Sequence, residues 1–398
     1  MSDLVITNQP QLDALCERLH VARRIAFDTE FVSEHTYRPQ LCLVQVATEA
    51  EAVCVDPLAS IDLAPLWNAL TAAGNTVVVH AARQEFLFVH EASGRRPAGL
   101  FDVQLAAGMI GLEFPAGYGN LISRLLGIAP EKGETRTDWR RRPLSDRQIS
   151  YAVADVKHLL PLHDLLVRRL SELKREHWFA DETEAFQVEV EEYRQRDRWR
   201  RVPGSSGMSN RCKAILRELW TWREREAERR DLPPRLILRD DLMVEMAKRK
   251  LADPKQLGAI RGMERPELRR ALPDFARAIE RGLQVPDGEL PTSTYTPDAG
   301  PQMTMLGQFL SSALSSICRA ASIAPSLVGT ANDVRELVNY RLGADGPNAE
   351  PPTLARGWRA EVVGHLIEDL LMGRMSIRIA DPTSEHPLVF EPSRTARS

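Results

Sequence analysis

The sequence predicts an α/β domain with a mixed sheet, followed by all-α units. Short apolar strand runs alternate with amphipathic helix patterns over about the first 175 residues. Such alternation is typical of one sheet covered by helices on both faces. From Asn210 onward the patterns are helical, without a convincing strand. At 398 residues, the chain is long enough for two or three domains.

The elements of the first part can be read in chain order. A short strand precedes a helix that begins near Asn8 or Gln9. We expect the next three runs to form a partly antiparallel meander: RRIAFDTEF, QLCLVQVAT and AVCVDP. A helix ending at Gly74 is followed by an apolar, β-branched run, NTVVVHAA, which predicts a buried strand. Two helical patterns come next, RQEFLFVHEA and DVQLAAGMIGL, and Asp102 is the expected N-cap of the second.

A capping box marks the last predicted helix of this part. Ser145 and Gln148 have the S-x-x-Q spacing, so we expect a helix that begins near Asp146 and runs to about Lys174. A charged connecting helix should follow and become strongly basic at its end. Residues 202–209, VPGSSGMS, have the composition of a linker.

The remaining sequence predicts two helical units. The first begins with an amphipathic helix that stops at Pro233–Pro234, because proline cannot continue a helix. Three further helical patterns complete it: DDLMVEMAKRK, DPKQLGAI and RPELRRALPDFARAIERGL. The predicted limits are 1–175 for the α/β domain, 176–209 for the connecting helix and linker, 210–285 for the first helical domain, 286–302 for a second linker, 303–380 for a second helical domain and 381–398 for a disordered tail.

Bulk properties narrow the class of protein. Hydrophobic residues make up 43% and charged residues 27%, which is typical of a soluble globular chain. A net charge of -3 gives no global positive field, so any basic surface must be local. The N-terminus lacks the pattern of a secretory signal, and no apolar run approaches the roughly 20 residues of a membrane span. Five scattered cysteines without a C-x-x-C pair argue against a zinc site and favour the cytoplasm.

Four acidic residues are the candidate metal ligands: Asp28, Glu30, Glu85 and Asp155. Asp28 and Glu30 lie two residues apart on a predicted strand, so their side chains point to the same face. Tyr151 precedes Asp155 by four residues on a predicted helix, so these two also share a face. Carboxylates that converge at the end of a sheet repel one another unless cations neutralise them. Mg²⁺ or Mn²⁺, which prefer oxygen ligands, are the expected cations.

Three motifs in this order resemble those of the DEDD exonuclease superfamily: FDTEF, HAARQEF (His80–Phe86) and YAVAD (Tyr151–Asp155). The Y-x-x-x-D form marks the branch with a tyrosine. The segment TDWRRRPLSDRQISYAVADVKHLLPL is especially similar to the ribonuclease D family, and the block after Asn210 resembles an HRDC domain, an auxiliary nucleic-acid-binding module. The resemblance covers roughly residues 1–285, and the C-terminal block fits a second, weaker HRDC-like unit.

This resemblance implies a ribonuclease H-like exonuclease fold and a metal-dependent 3′–5′ exoribonuclease. It implies two-metal-ion hydrolysis with Mg²⁺ or Mn²⁺, release of nucleoside 5′-monophosphates, and RNA 3′ ends as substrate, those of tRNA precursors above all. By analogy with the family, Asp28 bridges the two ions, and Glu30 and Asp155 complete their ligand shells. Tyr151 is expected to orient the attacking water, because a phenol with a pKa near 10 is a poor general base.

Glu85 departs from the family pattern, which has aspartate five residues after the histidine that matches His80. The charge is kept, but the side chain is one methylene longer, and catalytic geometry is sensitive at about the 1 Å scale. Glu85 could act through water, favour Mn²⁺ or leave the enzyme slow. We expect an active site. The alternatives are a 3′–5′ DNA exonuclease and a nucleic-acid-binding protein with weakened catalysis.

Several other residues have both a structural and a functional interpretation. His80 is expected to be a satisfied core histidine, and Asp102 a helix cap rather than a site residue. Basic residues near the site either contact substrate phosphates or form a solvated loop: Arg136, Arg140, Arg141 and Arg142. Arg194–Arg201 and Lys248–Lys250 either extend a positive track or are simply solvated. Nothing in the sequence demands a partner subunit, so we expect a monomer.

Overall fold

The structure, a computed structural model, describes residues 4–130, 137–192, 198–291, 301–343, 350–384 and 387–393. Its first part contains one six-stranded sheet in the order β1-β4-β3-β2-β5-β6. The strands are β1 (Val5–Ile6), β2 (Arg24–Val32), β3 (Gln40–Ala47), β4 (Ala52–Val55), β5 (Thr76–Val79) and β6 (Phe101–Asp102). β2, β3 and β4 form the predicted antiparallel meander, and the remaining pairs are parallel. The prediction of a mixed sheet is confirmed.

Helices cover both faces of this sheet. They are α1 (Gln9–Val21), α2 (Ala64–Leu70), α3 (Arg83–Ser93), α4 (Val103–Met109), α5 (Tyr118–Leu121), α6 (Asp146–Lys157), α7 (Leu159–Glu172) and α8 (Glu176–Glu192). Phe27 on β2 faces a core with α1, α2 and α3, while Ala26 faces a core with α4 and α7. Asn8 is the N-cap of α1, which begins where the sequence predicts, and the predicted N-cap of α4, Asp102, is present.

The helix predicted from Asp146 to Lys174 is two helices. The capping box at its start is confirmed, but the chain breaks at His158, between α6 and α7. Pro161 has no N–H to bond the carbonyl four residues earlier, which interrupts the hydrogen-bond ladder at this point. The hydroxyl of Tyr118 also inserts into this ladder: it donates to the carbonyl of Ala154 at 3.2 Å and accepts the N–H of His158 at 3.3 Å. The break leaves Tyr118 inserted at the C-terminal end of α6.

The end predicted for α2 was also wrong. This helix stops at Leu70 rather than Gly74. The Thr71 hydroxyl donates to the carbonyl of Trp67 at 2.8 Å, and Gly74, with a φ of 91°, lies in the turn that follows. A side chain that donates to a carbonyl in the last turn of its own helix competes with the backbone N–H groups that would continue the helix.

The first helical unit has its own core. It contains α9 (Asn210–Arg230), α10 (Pro234–Ile237), α11 (Asp240–Arg249), α12 (Pro254–Gly258) and α13 (Pro266–Gln284). Leu219, Met243 and Phe275 are buried together at its centre. Val202 and Met208, from the stretch predicted as a linker, are buried in this same core. The segment before α9 is therefore packed against the helical unit.

The C-terminal block packs directly on the α/β domain. Its elements are α14 (Pro301–Ala320), α15 (Pro325–Val328), α16 (Ala331–Arg341), α17 (Gly357–Arg359), α18 (His365–Leu371), β7 (Met375–Ile379) and β8 (Leu388–Pro392). Leu314 and Val338 belong to the same core as Ala106 on α4 and Leu162 on α7. Much of the predicted second linker, residues 292–300, lies outside the described residues.

The prediction of a purely helical second half was wrong. β7 and β8 form an antiparallel pair in which Ile377 lies opposite Phe390. The second strand falls within residues 381–398, which we predicted as a disordered tail. Both strands contain β-branched and aromatic residues that favour extended structure, in the runs MSIRI and LVFEP. Their short length hides the pattern in the sequence.

Candidate active site

The strand half of the site is set by the alternation of β2. Asp28 and Glu30 share one face of the strand, because successive side chains point to opposite sides. In the antiparallel pair with β3, Asp28 lies opposite Gln45 and Glu30 opposite Leu43. The register shifts between Glu30 and Phe31, so the pairing is irregular just beyond the two carboxylates. Bulges of this kind re-aim side chains next to active sites.

The helix half comes from α6, which packs against β2, β3 and β4. Tyr151 and Asp155 share one face of this helix. A hydrogen bond links the Tyr151 hydroxyl to the Asp155 carboxylate, and both side chains are half-buried. Asp155 interacts electrostatically with Asp28 and with Glu30. The structure therefore brings these four residues together, as the sequence predicts.

Glu85 reaches the site from the first turn of α3. It is only 5% exposed, and its Oε1 accepts the hydroxyl of Thr29 at 2.9 Å. Thr29 lies between Asp28 and Glu30 in sequence, so its side chain leaves β2 on the opposite face. The Glu85 charge nevertheless acts on both Asp28 and Glu30. The longer side chain is thus buried, hydrogen-bonded and close to the other carboxylates.

Burial dominates the electrostatics of the four carboxyl groups. It raises the pKa of Glu30 to about 8, of Glu85 to about 7 and of Asp155 to about 6. It also raises the pKa of Asp28 well above its usual range, and the nearby charges of the other three add to this effect. Low dielectric and like charges both disfavour the ionised forms. The cluster therefore holds protons near neutral pH unless a cation compensates its charge.

The donor chemistry fits a hard divalent cation. All four candidate ligands are carboxylates, and oxygen is the ligand that Mg²⁺ and Mn²⁺ prefer. Within the described ranges, no group of three or more His, Cys, Asp or Glu side chains is already arranged to hold a metal ion. Cation binding would therefore require the carboxylates to draw closer together. Glu85 and Asp155 are each held by one side-chain hydrogen bond, to Thr29 and to Tyr151, so the movement would come from side-chain rotations at the site.

Comparisons with known proteins identify the family. A family model described as a 3′-5′ exonuclease matches residues 4–171, and an HRDC domain matches residues 213–279. The ribonuclease D of Gluconacetobacter diazotrophicus is 35% identical over 385 residues, which are 94% of each chain. That of Acidiphilium cryptum is 35% identical over 381 residues, again 94% of each chain. The chain belongs to the ribonuclease D family.

A solved structure supports the same assignment. The crystal structure of Escherichia coli RNase D, described as an exoribonuclease involved in structured RNA processing, matches with a TM-score of 0.79 and 28% identity. The match covers 92% of this chain and 98% of the other. Membership of the ribonuclease D family makes this chain a 3′–5′ exoribonuclease with a ribonuclease H-like domain and an HRDC domain, and implies dependence on divalent metal ions.

Asp102 has a second role that the sequence did not reveal. Besides capping α4 through the N–H of Gln104 at 2.8 Å, its carboxylate accepts the N–H groups of Ala81 and Ala82, each at 3.0 Å. Ala81 has a φ of 61°, a left-handed conformation that is unusual for alanine. Asp102 thus stabilises the turn that begins α3, one helical turn before Glu85.

His80 also supports this region rather than the reaction. Its Nε2 lies 2.9 Å from the carbonyl oxygen of Ala116, which also accepts a hydrogen bond from Gln104 at 2.9 Å. The ring packs edge-on against Tyr118, with centroids 5.7 Å apart. The prediction of a satisfied core histidine is confirmed.

The basic segment before α6 is partly structural. Arg142 binds the carboxylate of Asp56 at 2.6 Å and the carbonyl of Cys42 at 2.6 Å, which commits its guanidinium to the fold. Arg140 pairs locally with Asp138 at 2.8 Å. Arg136 lies outside the described residues. Of the two interpretations left open for this segment, the structural one holds for Arg142.

Gln45 is a buried polar residue that sequence reasoning missed. It lies on β3 directly opposite Asp28 and is fully buried. Among the described residues, neither its amide nitrogen nor its amide oxygen has a hydrogen-bond partner. Buried amides are rarely left unpaired, so such a group needs an explanation. A glutamine in an otherwise apolar strand run, QLCLVQVA, was the available signal.

Proposed function

We propose that Asp28, Glu30, Glu85 and Asp155 hold the divalent metal ions of this exoribonuclease, with Tyr151 beside them. The observation that carries the proposal is the burial of four carboxyl groups from β2, α3 and α6 in one electrostatic cluster. An uncompensated cluster of this kind is costly, and divalent cations are its natural counter-charge.

The substrates that we propose are 3′ ends of structured-RNA precursors, tRNA above all. The similarity to the Escherichia coli enzyme, whose description names structured RNA processing, supports this substrate class. The HRDC domain supports binding of RNA beyond the scissile nucleotide. Release of nucleoside 5′-monophosphates follows from attack of water on the last phosphodiester. Action as a monomer in the cytoplasm stays a prediction.

Each residue has a separate part in the proposed reaction. When bound, two metal ions would supply a water of lowered pKa and stabilise charge on the attacking and leaving oxygens. Asp28, Glu30 and Asp155 would provide oxygen ligands from the strand and helix sides of the site. The Tyr151 hydroxyl is held by Asp155, and burial raises its pKa, so it keeps its proton. It would therefore orient the attacking water by hydrogen bonding.

Glu85 is consistent with an active enzyme. Its carboxylate is positioned by Thr29, and its helix start is stabilised by Asp102, so the longer side chain is not loose. If the site had lost its function, we would expect these hydrogen bonds around Glu85 to have been lost as well. We therefore propose that Glu85 acts as the second-motif ligand, directly or through water.

A single set of reactions tests the proposal. A tRNA with extra 3′ nucleotides and a matched single-stranded DNA are incubated with the protein and Mg²⁺, Mn²⁺ or EDTA. We expect stepwise shortening of the RNA with either metal and none with EDTA. Asp28→Asn should reduce the rate by at least about a thousandfold, as expected for loss of a direct metal ligand. Asp146→Asn, on the exposed start of α6, is the matched control.

Glu85→Asp separates the remaining possibilities. This change restores the family's residue, so we expect equal or higher activity. A large loss would mean that the site is built around glutamate. Binding of RNA without shortening under every metal condition would contradict the proposed activity, and equal shortening of DNA would contradict the RNA preference.

A further inference from the structure

A cleft of about 480 Å³ separates the exonuclease domain from the HRDC domain. Ser33 and Glu34 line it from the segment after β2, and Arg198 and Arg201 from the turn before α9. The HRDC domain contributes Trp220 on α9 and Arg235 on α10, among other residues. The cleft is open at the surface, and its walls come from three separate parts of the chain.

The cleft begins close to the carboxylate cluster. Ser33 follows Glu30 by three residues, so their Cα atoms lie at most about 11 Å apart, even if the chain is fully extended. A single strand whose 3′ end reaches Glu30 therefore needs only a few nucleotides to reach this cleft.

The arginines that line the cleft differ in whether they pair with a carboxylate. Arg223 is buried and paired with Asp240 and Glu224. In contrast, Arg201 and Arg235 form neither an ion pair nor a hydrogen bond within the described residues. Other arginines of the HRDC domain, such as Arg229 and Arg239, pair with a carboxylate. The two unpaired guanidinium groups are thus available to an external anion.

We propose that this cleft binds the single-stranded RNA segment just upstream of the 3′ end. Arg201 and Arg235 contact phosphates, which gives affinity without sequence preference. Trp220 lines the same cleft, and a half-buried aromatic ring is suited to stack on a base. The inference rests on the RNA substrate of the proposed function and names where that substrate continues beyond the carboxylates.

Binding and short-substrate cleavage test this inference separately. Arg201→Ala/Arg235→Ala is compared with Arg269→Ala/Arg270→Ala, a matched pair of exposed arginines on α13 outside the cleft. Binding of a 20-nucleotide RNA is measured in EDTA at several salt concentrations. We expect about tenfold weaker binding for the cleft variant. The slope of log K against log salt should fall by about 1.4, since each single-strand phosphate contact contributes about 0.7.

Hydrolysis of a trinucleotide should stay unchanged in the same cleft variant, because this substrate is too short to fill the cleft. An unchanged salt slope, or an equal loss in the control pair, would overturn the inference. Failure of the unmodified enzyme to cleave the trinucleotide would instead contradict the proposed function. The two failures are therefore distinguishable.

Crosslinking gives a second measurement that does not depend on variants. RNA carrying 4-thiouridine at each of the fourth to seventh positions from the 3′ end is bound to the full chain and irradiated. We expect crosslinked peptides that contain Trp220 or residues 198–203. Crosslinks confined to the C-terminal block would place the upstream strand elsewhere and overturn the inference.

A different observation, the unpaired amide of Gln45, carries a second inference. We infer that Gln45 is a positioning residue for Asp28. The two residues are directly opposite on antiparallel strands, where Cβ atoms lie about 4.5–5.5 Å apart, so the amide can reach the carboxylate. Its N–H group would donate to the ionised Asp28 carboxylate and fix its orientation when the cation binds.

Stability and metal binding should move in opposite directions when this amide is removed. Gln45→Met keeps the side chain's size and removes an unpaired buried amide. We expect the Tm of the metal-free variant to rise by a few degrees, while Mn²⁺ binding, followed by electron paramagnetic resonance, weakens by about tenfold. A residue that only supports the fold would lower the Tm instead, and that result would overturn the inference.

A double-mutant cycle assigns the effect to Asp28. In an Asp28→Asn background, Gln45→Met should cause no further loss of Mn²⁺ binding, because the partner carboxylate is already gone. Equal loss in both backgrounds would show that Gln45 acts through another residue.

Discussion

The two helical regions of the chain differ in how they join the exonuclease domain. The HRDC region encloses its own core, and the segment after β2 meets it through the partly buried Tyr37 and through polar contacts. There the N–H of Tyr37 donates to Asp231 at 3.0 Å, and Arg38 pairs with Glu228 at 2.7 Å. The C-terminal block has no such separation, because its helices complete the core formed by α4 and α7.

Arg175 links the C-terminal block to the exonuclease domain through buried hydrogen bonds. This arginine is only 6% exposed and donates to three carbonyl oxygens, those of Met109 on α4 and of Ala321 and Ser322 after α14. Burial lowers its pKa. A buried cation held by carbonyl dipoles is tolerable only where all its donors are satisfied. Separation of the block from the exonuclease domain would leave this group unpaired.

Aromatic and ionic contacts surround Arg175. Trp178 and Trp358 stack across the junction with centroids 5.7 Å apart. Arg359 forms a bidentate pair with Glu182, at 2.7 and 2.8 Å, and both side chains are mostly buried. The two helical regions therefore have different physical roles, one as a separate unit with its own core and the other as part of the exonuclease core.

The largest effect is expected from removing the C-terminal block. A chain that ends at Pro291 would expose the apolar surfaces of α4 and α7, which this block now covers. Burial of a single large side chain contributes about 1.5–3 kcal/mol, so the loss should exceed the stability of the domain. We expect an aggregated or molten exonuclease domain, measured by near-ultraviolet circular dichroism and thermal unfolding. A soluble product with an unchanged Tm would show that the C-terminal block is not part of the exonuclease core.

The reciprocal deletion is the control for this result. Replacement of residues 198–285 by a Gly-Ser linker removes the separate core, including the segment before α9 that packs in it, and leaves the shared core intact. The exonuclease transition should then stay within a few degrees of its original Tm, while affinity for long RNA falls.

Substitution of Arg175 should have the next largest effect. Arg175→Met keeps much of the side-chain volume but leaves three buried carbonyls without their donor. We expect a loss of about 3 kcal/mol in the free energy of unfolding, since each unsatisfied buried acceptor costs about 1–3 kcal/mol. Chemical denaturation measures it. Arg168→Met, an exposed position on α7, is the matched control and should change stability by less than about 0.5 kcal/mol. Equal losses of stability in the two variants would show that the buried hydrogen bonds of Arg175 do not stabilise the fold.

The carboxylate cluster predicts a pH dependence confined to the shared core. Burial holds the pKa of Glu30 at about 8, of Glu85 at about 7 and of Asp155 at about 6 in the metal-free protein. Unfolded carboxyl groups titrate near 4, so the folded state binds protons more tightly. The stabilisation from these protons is fully present below about pH 4 and is lost as the pH rises through about 6–8.

Calorimetry of the metal-free protein between pH 5 and 8.5 checks this. The exonuclease transition should fall with rising pH, and Mn²⁺ should restore it. Glu30→Gln should raise the stability at pH 8.5 by about 2 kcal/mol, a Tm increase of roughly 4–8 °C. The HRDC transition should not move. A pH shift in the HRDC transition alone would contradict the assignment of this cluster to the shared core.

Local patterns were sufficient to predict much of the site. Alternation on β2 paired Asp28 with Glu30, and the capping box placed the helix that carries Tyr151 and Asp155. These signals depend on residues a few positions apart. The break at His158 could be predicted only in part. Pro161 is a local signal, but Tyr118 lies forty residues away in the sequence.

Long-range packing was not predictable from the same signals. The dual role of Asp102 depends on how β5 and β6 lie side by side, and the position of the buried Gln45 opposite Asp28 depends on the register of β3 against β2. The sharing of one core by α7 and the C-terminal block depends on tertiary contacts between segments more than 100 residues apart. Helical periodicity identifies an apolar face without naming what covers it.

The smallest effect is expected at the HRDC junction. Arg38 and Glu228 are each about half exposed, at 53% and 54%, so water and salt screen their attraction. A double-mutant cycle with Arg38→Ala and Glu228→Ala should give a coupling of no more than about 0.5 kcal/mol. Chemical denaturation in low and high salt measures it. A coupling above about 2 kcal/mol would mean that this junction is rigid, and the HRDC domain could not then adjust to RNA strands of different length.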